Sequence, residues 1–216
     1  MSKIRICYSQ GESVRFISHL DFLRTITRTF RRAGMPIKYS EGFNPHMVMT
    51  IGLPLSVGTT SVCDCLDAEL TEDVDLQKLK DTLNACAPVG IVINDIKSCD
   101  GLKPLYQIDS ALYEADFATD KDIDVQRYID EKEIIIEKKS KRKIKEVNIK
   151  DFIRSIKIKS SDGKSHSLML HINAGNFSNL KPELVVHSME KYFGCTASNL
   201  RIERKEIYFD DMTRVF

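Results

Sequence analysis

The stretch SHLDFLRTITRTFRRAGMP, residues 18–36, has the pattern of an amphipathic α-helix and contains signals for both of its ends. Ser18 is a good N-cap residue with Asp21 three positions later, and Gly34 and Pro36 are typical of the end of a helix. Apolar side chains recur at helical spacing at Phe22, Ile26, Phe30 and Ala33. The stretch therefore predicts a helix with one buried face.

Strands and a second helix flank this helix in the first half of the chain. Ile4, Ile6 and Tyr8 alternate with the period of two that is typical of a half-buried strand at residues 3–10. The other predicted elements are a short strand at 36–40, a loop rich in Gly and Pro at 41–60, a strand at 61–70, a helix at 76–86 and a strand at 91–97. The order of elements is βαββαβ.

The second half of the chain repeats this order without residue-level identity to the first. Its predicted elements are a strand at 111–117, a helix at 120–132, a strand at 133–139, an elaborated region at 140–152, a hairpin at 153–173, a helix at 180–194 and a strand at 199–209. Two βαββαβ units predict an α+β fold of two tandem ferredoxin-like sandwiches. We expect the domains to be residues 1–101 and 102–216.

The composition excludes several classes of protein. The chain has 216 residues, enough for one or two domains, of which 42% are hydrophobic and 29% charged. No apolar run approaches the ~18 residues that a membrane span needs, and the first residues contain no apolar signal region. We therefore expect a cytoplasmic protein without a membrane contact. The net charge is only +1, so attraction to nucleic acid requires local clusters of basic residues.

The six cysteines do not have the spacing of a metal or cluster site. Cys63 and Cys65 form a C-x-C pair on one face of a predicted strand, where cysteine behaves as a small apolar residue. The chain lacks the C-x-x-x-C-x-x-C pattern that a radical SAM iron–sulfur cluster requires, and it lacks glycine-rich phosphate-binding loops. The sequence therefore predicts neither a metal site nor a cofactor.

Basic residues cluster on the first predicted helix and just before it. The arginines concerned are Arg15, Arg24, Arg28, Arg31 and Arg32. Most of them share a stripe opposite the apolar face, and arginine is well suited to bind phosphate oxygens in pairs. The alternative is a solvated face whose last arginines complement the helix dipole. A second basic run at 138–145 is either a further binding element or a solvated turn.

The loop after the helix supplies further candidate residues in the sequence Gly-Phe-Asn-Pro-His, residues 42–46. Phe43 is a candidate for stacking on an RNA base, with Asn44 and His46 as polar contacts, and the alternative is that Phe43 anchors the loop in the core. His19 in the first helical turn and His46 are candidates for acid–base catalysis, with Asp21 orienting either imidazole. Their alternatives are a helix cap, loop packing, or a metal site formed by His and Asp residues.

These residues resemble the opening of the radical-SAM-linked domain family of unknown function, whose members occur alone or fused behind a cobalamin-binding radical SAM domain. The similarity is strongest over residues 14–70 and extends over nearly the whole chain. Met47 stands where the family commonly has a second proline, and Cys63 and Cys65 occupy a strand that is usually more acidic. The resemblance implies a stand-alone bacterial partner of a radical SAM enzyme, in a gene context that points to RNA.

Three functions are consistent with the sequence. We expect first an RNA-binding accessory protein that works with a separate radical SAM or RNA-processing enzyme in tRNA or rRNA maturation. The first alternative is a protein-interaction adaptor for a radical SAM enzyme that does not contact RNA. The second is a metal-independent endoribonuclease, because tandem ferredoxin-like domains with a histidine at the first helix are similar in outline to the CRISPR repeat endoribonucleases. Whether the protein is an enzyme stays open at this point.

Overall fold

The computed structural model describes residues 2–140 and 143–216, with the backbone alone at 138–140 and 143–145. Its internal contacts divide the chain into two units. Unit 1 consists of residues 1–108 and 207–216, and unit 2 consists of residues 109–206. The division therefore falls a few residues after the predicted position at 101/102, and a segment from the end of the sequence belongs to the first unit.

Among its described residues, unit 1 contains four complete strands and two α-helices. Their bounds are β1 Lys3–Gln10, α1 His19–Arg32, β2 Met49–Ile51, β3 Thr59–Glu69, α2 Leu76–Cys86 and β4 Ile91–Ser98. The strands lie in the order β4-β1-β3-β2, and β1 is antiparallel to both of its neighbours. Both helices that the sequence predicts for this half of the chain are present.

The second strand of unit 1 differs from the prediction. Residues 36–40 form only two isolated bridges, Ile37 with Leu70 and Tyr39 with Met47. The strand is instead β2, which lies inside the predicted loop and pairs antiparallel with β3. A strand of three residues has too little periodicity to be recognised in the sequence, because its position is set by the pairing with β3.

The core of unit 1 lies between the helices and the sheet. Phe22, Ile26 and Phe30 of α1 are buried together with Leu79 and Leu83 of α2. Ser18 is the N-cap residue of α1, and its hydroxyl oxygen accepts a hydrogen bond from the backbone N–H of Asp21. The helix that the sequence predicts over residues 18–36 is thus confirmed in its start, its end and its buried face.

Unit 2 contains the other strands and helices. The first of its strands starts one residue before the unit, and the last ends three residues after it. The bounds are β5 Ile108–Thr119, α3 Val125–Asp130, β6 Ile135–Ser140, β7 Lys143–Asn148, β8 Ile153–Ser161, β9 Ser165–Asn173, α4 Pro182–Phe193 and β10 Ala197–Phe209. The strand order is β10-β5-β9-β8, and β6 and β7 form a separate hairpin in and beside the predicted elaborated region. The α+β class is therefore confirmed.

Strand β1 is buried on both faces, whereas its alternating pattern predicts burial of one face only. Arg5 is fully buried and forms a two-pronged ion pair with Asp67 of β3, with Nε–Oδ1 at 2.7 Å and Nη2–Oδ2 at 3.1 Å. Its guanidinium also donates to the backbone carbonyls of Lys103 and Val215 at 2.8 and 3.2 Å. These partners offset the cost of removing a charged side chain from water, so Arg5 can be buried on the second face of the strand.

The segment 207–216 completes a second hydrophobic cluster in unit 1. Ile207, Phe209 and Val215 pack with Cys65, Leu105 and Ile108. Cys63 packs against the same cluster, so both cysteines of the C-x-C pair lie among apolar side chains. This packing explains why the domain boundary predicted from the order of elements misses residues 207–216, since nothing local in the sequence indicates their partners.

Gly194 ends helix α4 in a backbone conformation that favours glycine. It adopts the left-handed conformation at φ 60°, and its N–H donates to the carbonyl of Glu190. We expect Gly194→Ala to lower the free energy of unfolding in urea by about 1 kcal/mol, because a β-carbon is strained in this conformation.

Gly194→Asn is the matched control, because asparagine tolerates the left-handed region better than alanine does. The asparagine variant is expected to lose less stability than the alanine variant. Equal losses in the two variants would show that the backbone conformation is not the cause.

Candidate nucleic-acid interface

The exposed face of α1 carries three arginines in one stripe. Arg24, Arg28 and Arg31 are separated by four and three residues, a spacing that places them on the same side of a helix. All three are exposed, whereas the apolar side chains of the opposite face are buried. We call Arg24, Arg28 and Arg31 the arginine stripe.

The first arginine of the stripe is paired within the helix. Arg24 Nη1 lies 2.9 Å from Asp21 Oδ1, and the other oxygen of Asp21 accepts a hydrogen bond of 2.7 Å from the Ser18 hydroxyl. The hydrogen bond from Ser18, followed by the one from Arg24, lowers the pKa of Asp21 below its usual value. Asp21 therefore stays ionised at neutral pH and reduces the charge at this end of the stripe.

The other two arginines of the stripe are less engaged. Within the described residues, the Arg28 guanidinium forms neither a hydrogen bond nor an ion pair. Arg31 Nε lies 3.4 Å from the hydroxyl of Tyr39, at the long limit of a hydrogen bond. Both side chains are thus available to an anionic ligand.

Arg15 and Arg32, the remaining predicted arginines, have structural partners. Arg32 Nη2 donates to the backbone carbonyl of Cys86 at 2.6 Å and so connects α1 to the end of α2. Arg15 pairs with Glu12 at 2.8 Å, and its guanidinium lies 4.5 Å from the centre of the Phe16 ring. Arg32 therefore has a structural contact that neither interpretation of the sequence foresaw, whereas Arg15 and Phe16 present a combined polar and aromatic surface.

The loop at 42–46 is a tip between two paired segments. Its ends are held by the backbone hydrogen bond from Ser40 N–H to the carbonyl of His46, and the Ser40 hydroxyl also lies 2.8 Å from His46 Nδ1. Phe43 is fully exposed at the tip, and Asn44 is exposed beside it. The alternative that Phe43 anchors the loop in the core is therefore wrong, and its exposed ring is compatible with stacking.

The candidate catalytic residues have separate partners. Asp21 binds Ser18 and Arg24, and His46 binds Ser40. Among the described residues, neither ring nitrogen of His19 forms a hydrogen bond. Asp21 therefore does not orient either imidazole in this structure, and RNA cleavage rests on the sequence alone.

A narrow cleft in unit 1 is the feature that the sequence analysis missed. Its walls come from the end of β1, the turn before α1, the first turn of α1 and the loop that precedes β3, and include Gln10, Arg15, Ser18, His19, Pro54 and Thr59. Gln10 also belongs to a buried polar cluster, in which Asp64 accepts hydrogen bonds from Gln10 Nε2 at 2.6 Å and from the Ser61 hydroxyl at 2.7 Å.

The sequence does contain one signal for this cleft, which is a group of polar residues at the ends of two strands. Gln10 ends β1, and the polar run Thr59, Thr60 and Ser61 begins β3. All four are buried, which is uncommon for uncharged polar side chains at strand ends. The basic run at 138–145, by contrast, lies outside the residues whose side chains are described.

The chain belongs to the family described as "Uncharacterized protein conserved in bacteria (DUF2344)", whose model matches residues 3–182. This agrees with the resemblance to a bacterial family of unknown function. No curated protein matches the chain. No helix within residues 2–140 and 143–216 is long and apolar enough to cross a membrane.

Two solved structures are similar to the chain at 11% sequence identity each. An unknown protein from Galdieria sulphuraria has a TM-score of 0.28, with 94% of this chain and 98% of that chain covered. An RAMP protein binding different RNA substrates has a TM-score of 0.22, with 82% and 89% covered. Similarities this weak support no conclusion on function.

Proposed function

We propose that this protein is an RNA-binding accessory protein that holds RNA for a separate enzyme, with the arginine stripe contacting phosphates. The observation that carries the proposal is the exposed Arg28, which has no acidic partner among the described residues and lies between Arg24 and Arg31. An arginine fork matches the geometry of phosphate oxygens and releases condensed counterions when it binds them.

The ion pair at the start of the stripe does not compete strongly with RNA. Arg24 and Asp21 are both mostly exposed, with 68% and 56% of their side chains accessible. Exposed pairs of this kind contribute about 0–1 kcal/mol, because water screens them. A phosphate can therefore replace Asp21 as the partner of Arg24 at little cost.

The order of strands and helices supports a proposal for the fold of each unit. In each unit the four sheet strands, numbered by their order in that unit, lie in the spatial order 4-1-3-2, with a helix after the first and after the third. We propose that each unit is a ferredoxin-like sandwich and that the β6–β7 hairpin is an insertion in the second. Ferredoxin-like sheets are a common framework of RNA-binding modules such as the RRM.

The partner enzyme is proposed from the family resemblance, which implies a radical SAM protein. Purification of the chain from cells with and without nuclease treatment distinguishes an RNA-mediated association from a direct one. Loss of the partner enzyme after nuclease treatment supports the proposed role. Persistence of the partner favours the adaptor without RNA contact.

The direct test is RNA binding across a series of salt concentrations. We expect Arg24→Ala/Arg28→Ala to bind single-stranded RNA more weakly than the wild type. The slope of log affinity against log salt should fall by about 0.7 for each phosphate that the variant no longer binds. Filter binding of a labelled oligonucleotide measures both quantities.

The matched control is Lys78→Ala/Lys80→Ala, which removes the same charge from helix α2 of the same unit. Its salt slope should stay close to that of the wild type. If the two double variants behave alike, net charge rather than the arginine stripe determines binding, and the proposed contact is wrong.

A further inference from the structure

We propose that the cleft beside the first turn of α1 receives a ribose 2′-hydroxyl and thereby gives the protein a preference for RNA over DNA. This inference rests on the proposed function, because the arginine stripe on the same helix would hold the strand. Phosphate contacts alone do not distinguish RNA from DNA, whereas a 2′-hydroxyl, which both donates and accepts a hydrogen bond, does so at a single position.

The size of the cleft selects the group that enters it. The space between its walls admits a group of about the size of a water molecule. A nucleobase is too large for this space, whereas a hydroxyl group fits. The ligand is therefore a small polar group that projects from a larger molecule outside the cleft.

Gln10 supplies a hydrogen-bond acceptor in the cleft. Its amide nitrogen lies 2.6 Å from Asp64 Oδ2, and a carboxylate can only accept, so the NH₂ group must face Asp64. Within the part of the chain that the structure describes, Oε1 of Gln10 has no donor, although the side chain is 95% buried. Gln10 lines the cleft, and Oε1 is not among the fully buried polar atoms of the described residues, so this oxygen can accept a hydrogen bond from a group that enters the cleft.

His19 is the second group that can contact the hydroxyl. It lines the cleft, it is exposed, and its ring nitrogens are free of hydrogen bonds to other described residues. The neighbouring Ser18 hydroxyl is already engaged with Asp21, both as donor and as acceptor. One imidazole nitrogen can therefore donate a hydrogen bond to the 2′-oxygen, while the 2′-hydroxyl donates a hydrogen bond to Oε1 of Gln10.

The cleft and the arginine stripe lie on different faces of α1. Arg24 lies five residues after His19, which is about 7.5 Å along the helix axis and about 140° around it. A strand that the stripe holds must therefore curve around the start of the helix to reach the cleft, where Arg15 forms part of the wall. At the edge of the cleft, the Phe16 ring is 68% exposed under the Arg15 guanidinium and offers a surface on which a base can stack.

The test compares RNA and DNA oligonucleotides of the same sequence, together with 2′-O-methyl RNA. We expect the wild type to prefer RNA by about 3- to 10-fold, the range that one neutral hydrogen bond gives. His19→Ala should reduce this preference towards 1 without changing the salt slope, because every arginine that binds a phosphate is still present. His19→Gln, which keeps a donor and an acceptor, should retain part of the preference.

Two further variants keep the outcome unambiguous. Gln10→Met removes Oε1 and should also reduce the preference, provided that its thermal unfolding shows a folded protein. Arg24→Ala/Arg28→Ala should weaken RNA and DNA binding equally and leave the preference intact.

Equal binding of RNA and DNA by the wild type, or an equal loss for both in His19→Ala, overturns this inference while leaving the proposed function standing. Absence of RNA binding by the wild type overturns both.

Discussion

Asp67→Ala is expected to lower the free energy of unfolding by about 3–5 kcal/mol, because it leaves the guanidinium of Arg5 buried without a counter-charge. Arg5 is fully buried and Asp67 is 3% exposed. The backbone carbonyls of Lys103 and Val215 would remain as partners of Arg5, but they carry no net charge. Urea denaturation of the two proteins measures the difference.

Glu69→Ala is the matched control for this prediction. Glu69 lies two residues further along β3 and pairs with Lys38 at 3.0 Å, but both side chains are more than a third exposed. Its removal is expected to cost about 0–1 kcal/mol. The double variant Arg5→Met/Asp67→Leu should lose much less stability than Asp67→Ala, because no buried charge is left. Similar losses for Asp67→Ala and Glu69→Ala would contradict the assigned role of burial.

Tyr128→Ala in unit 2 is expected to cost about 3–5 kcal/mol, the range for removing a large buried aromatic side chain. Tyr128 belongs to the short helix α3 and is fully buried, with its hydroxyl 2.6 Å from the Ser188 hydroxyl of α4. Its ring meets Tyr192 edge to face at 5.7 Å. These contacts attach a helix of only six residues to the unit.

Tyr128→Phe separates the hydroxyl from the ring and is expected to cost about 1 kcal/mol at pH 7. Burial raises the pKa of Tyr128 to about 12, against 10.0 for an ordinary tyrosine, and the hydrogen bond with Ser188 only partly offsets this. Between these values the unfolded chain releases the proton and the folded chain keeps it, so the wild type loses stability as the pH rises. By pH 11 the loss is about 1 kcal/mol, and the two proteins should become equally stable. A constant difference between them from pH 8 to 11 would contradict the raised pKa.

The elements that the sequence predicts well are those whose signals are local. Helix α1 has its cap, its buried face and its end within residues 18–36, and α4 has Pro182 at its start and Gly194 at its end. Strand β2, in contrast, exists because three residues pair with β3, and no pattern of its own marks it. The ion pair of Arg5 with Asp67 joins residues 62 positions apart, which a periodicity cannot reveal.

In the candidate site, too, features that depend on neighbouring residues could be predicted, whereas contacts between distant residues could not. The arginine stripe follows from helical spacing, so its exposed face could be predicted. Which arginines are engaged could not, because the partner of Arg32 is a carbonyl on α2, 54 residues away. The cleft joins Gln10, His19 and Thr59 from three separate segments of unit 1, and only the folded chain brings these residues together.

The return of residues 207–216 to unit 1 affects the order in which the two units mature during synthesis. A growing chain that has left the ribosome as far as residue 206 contains all of unit 2 but still lacks Ile207, Phe209 and Val215, which complete the cluster around Leu105. Arg5 can form its hydrogen bond to the carbonyl of Val215, 210 positions later in the chain, only after Val215 has been synthesised. Unit 1, whose first residues are synthesised before those of unit 2, can therefore complete its hydrophobic packing only after all of unit 2 has been synthesised.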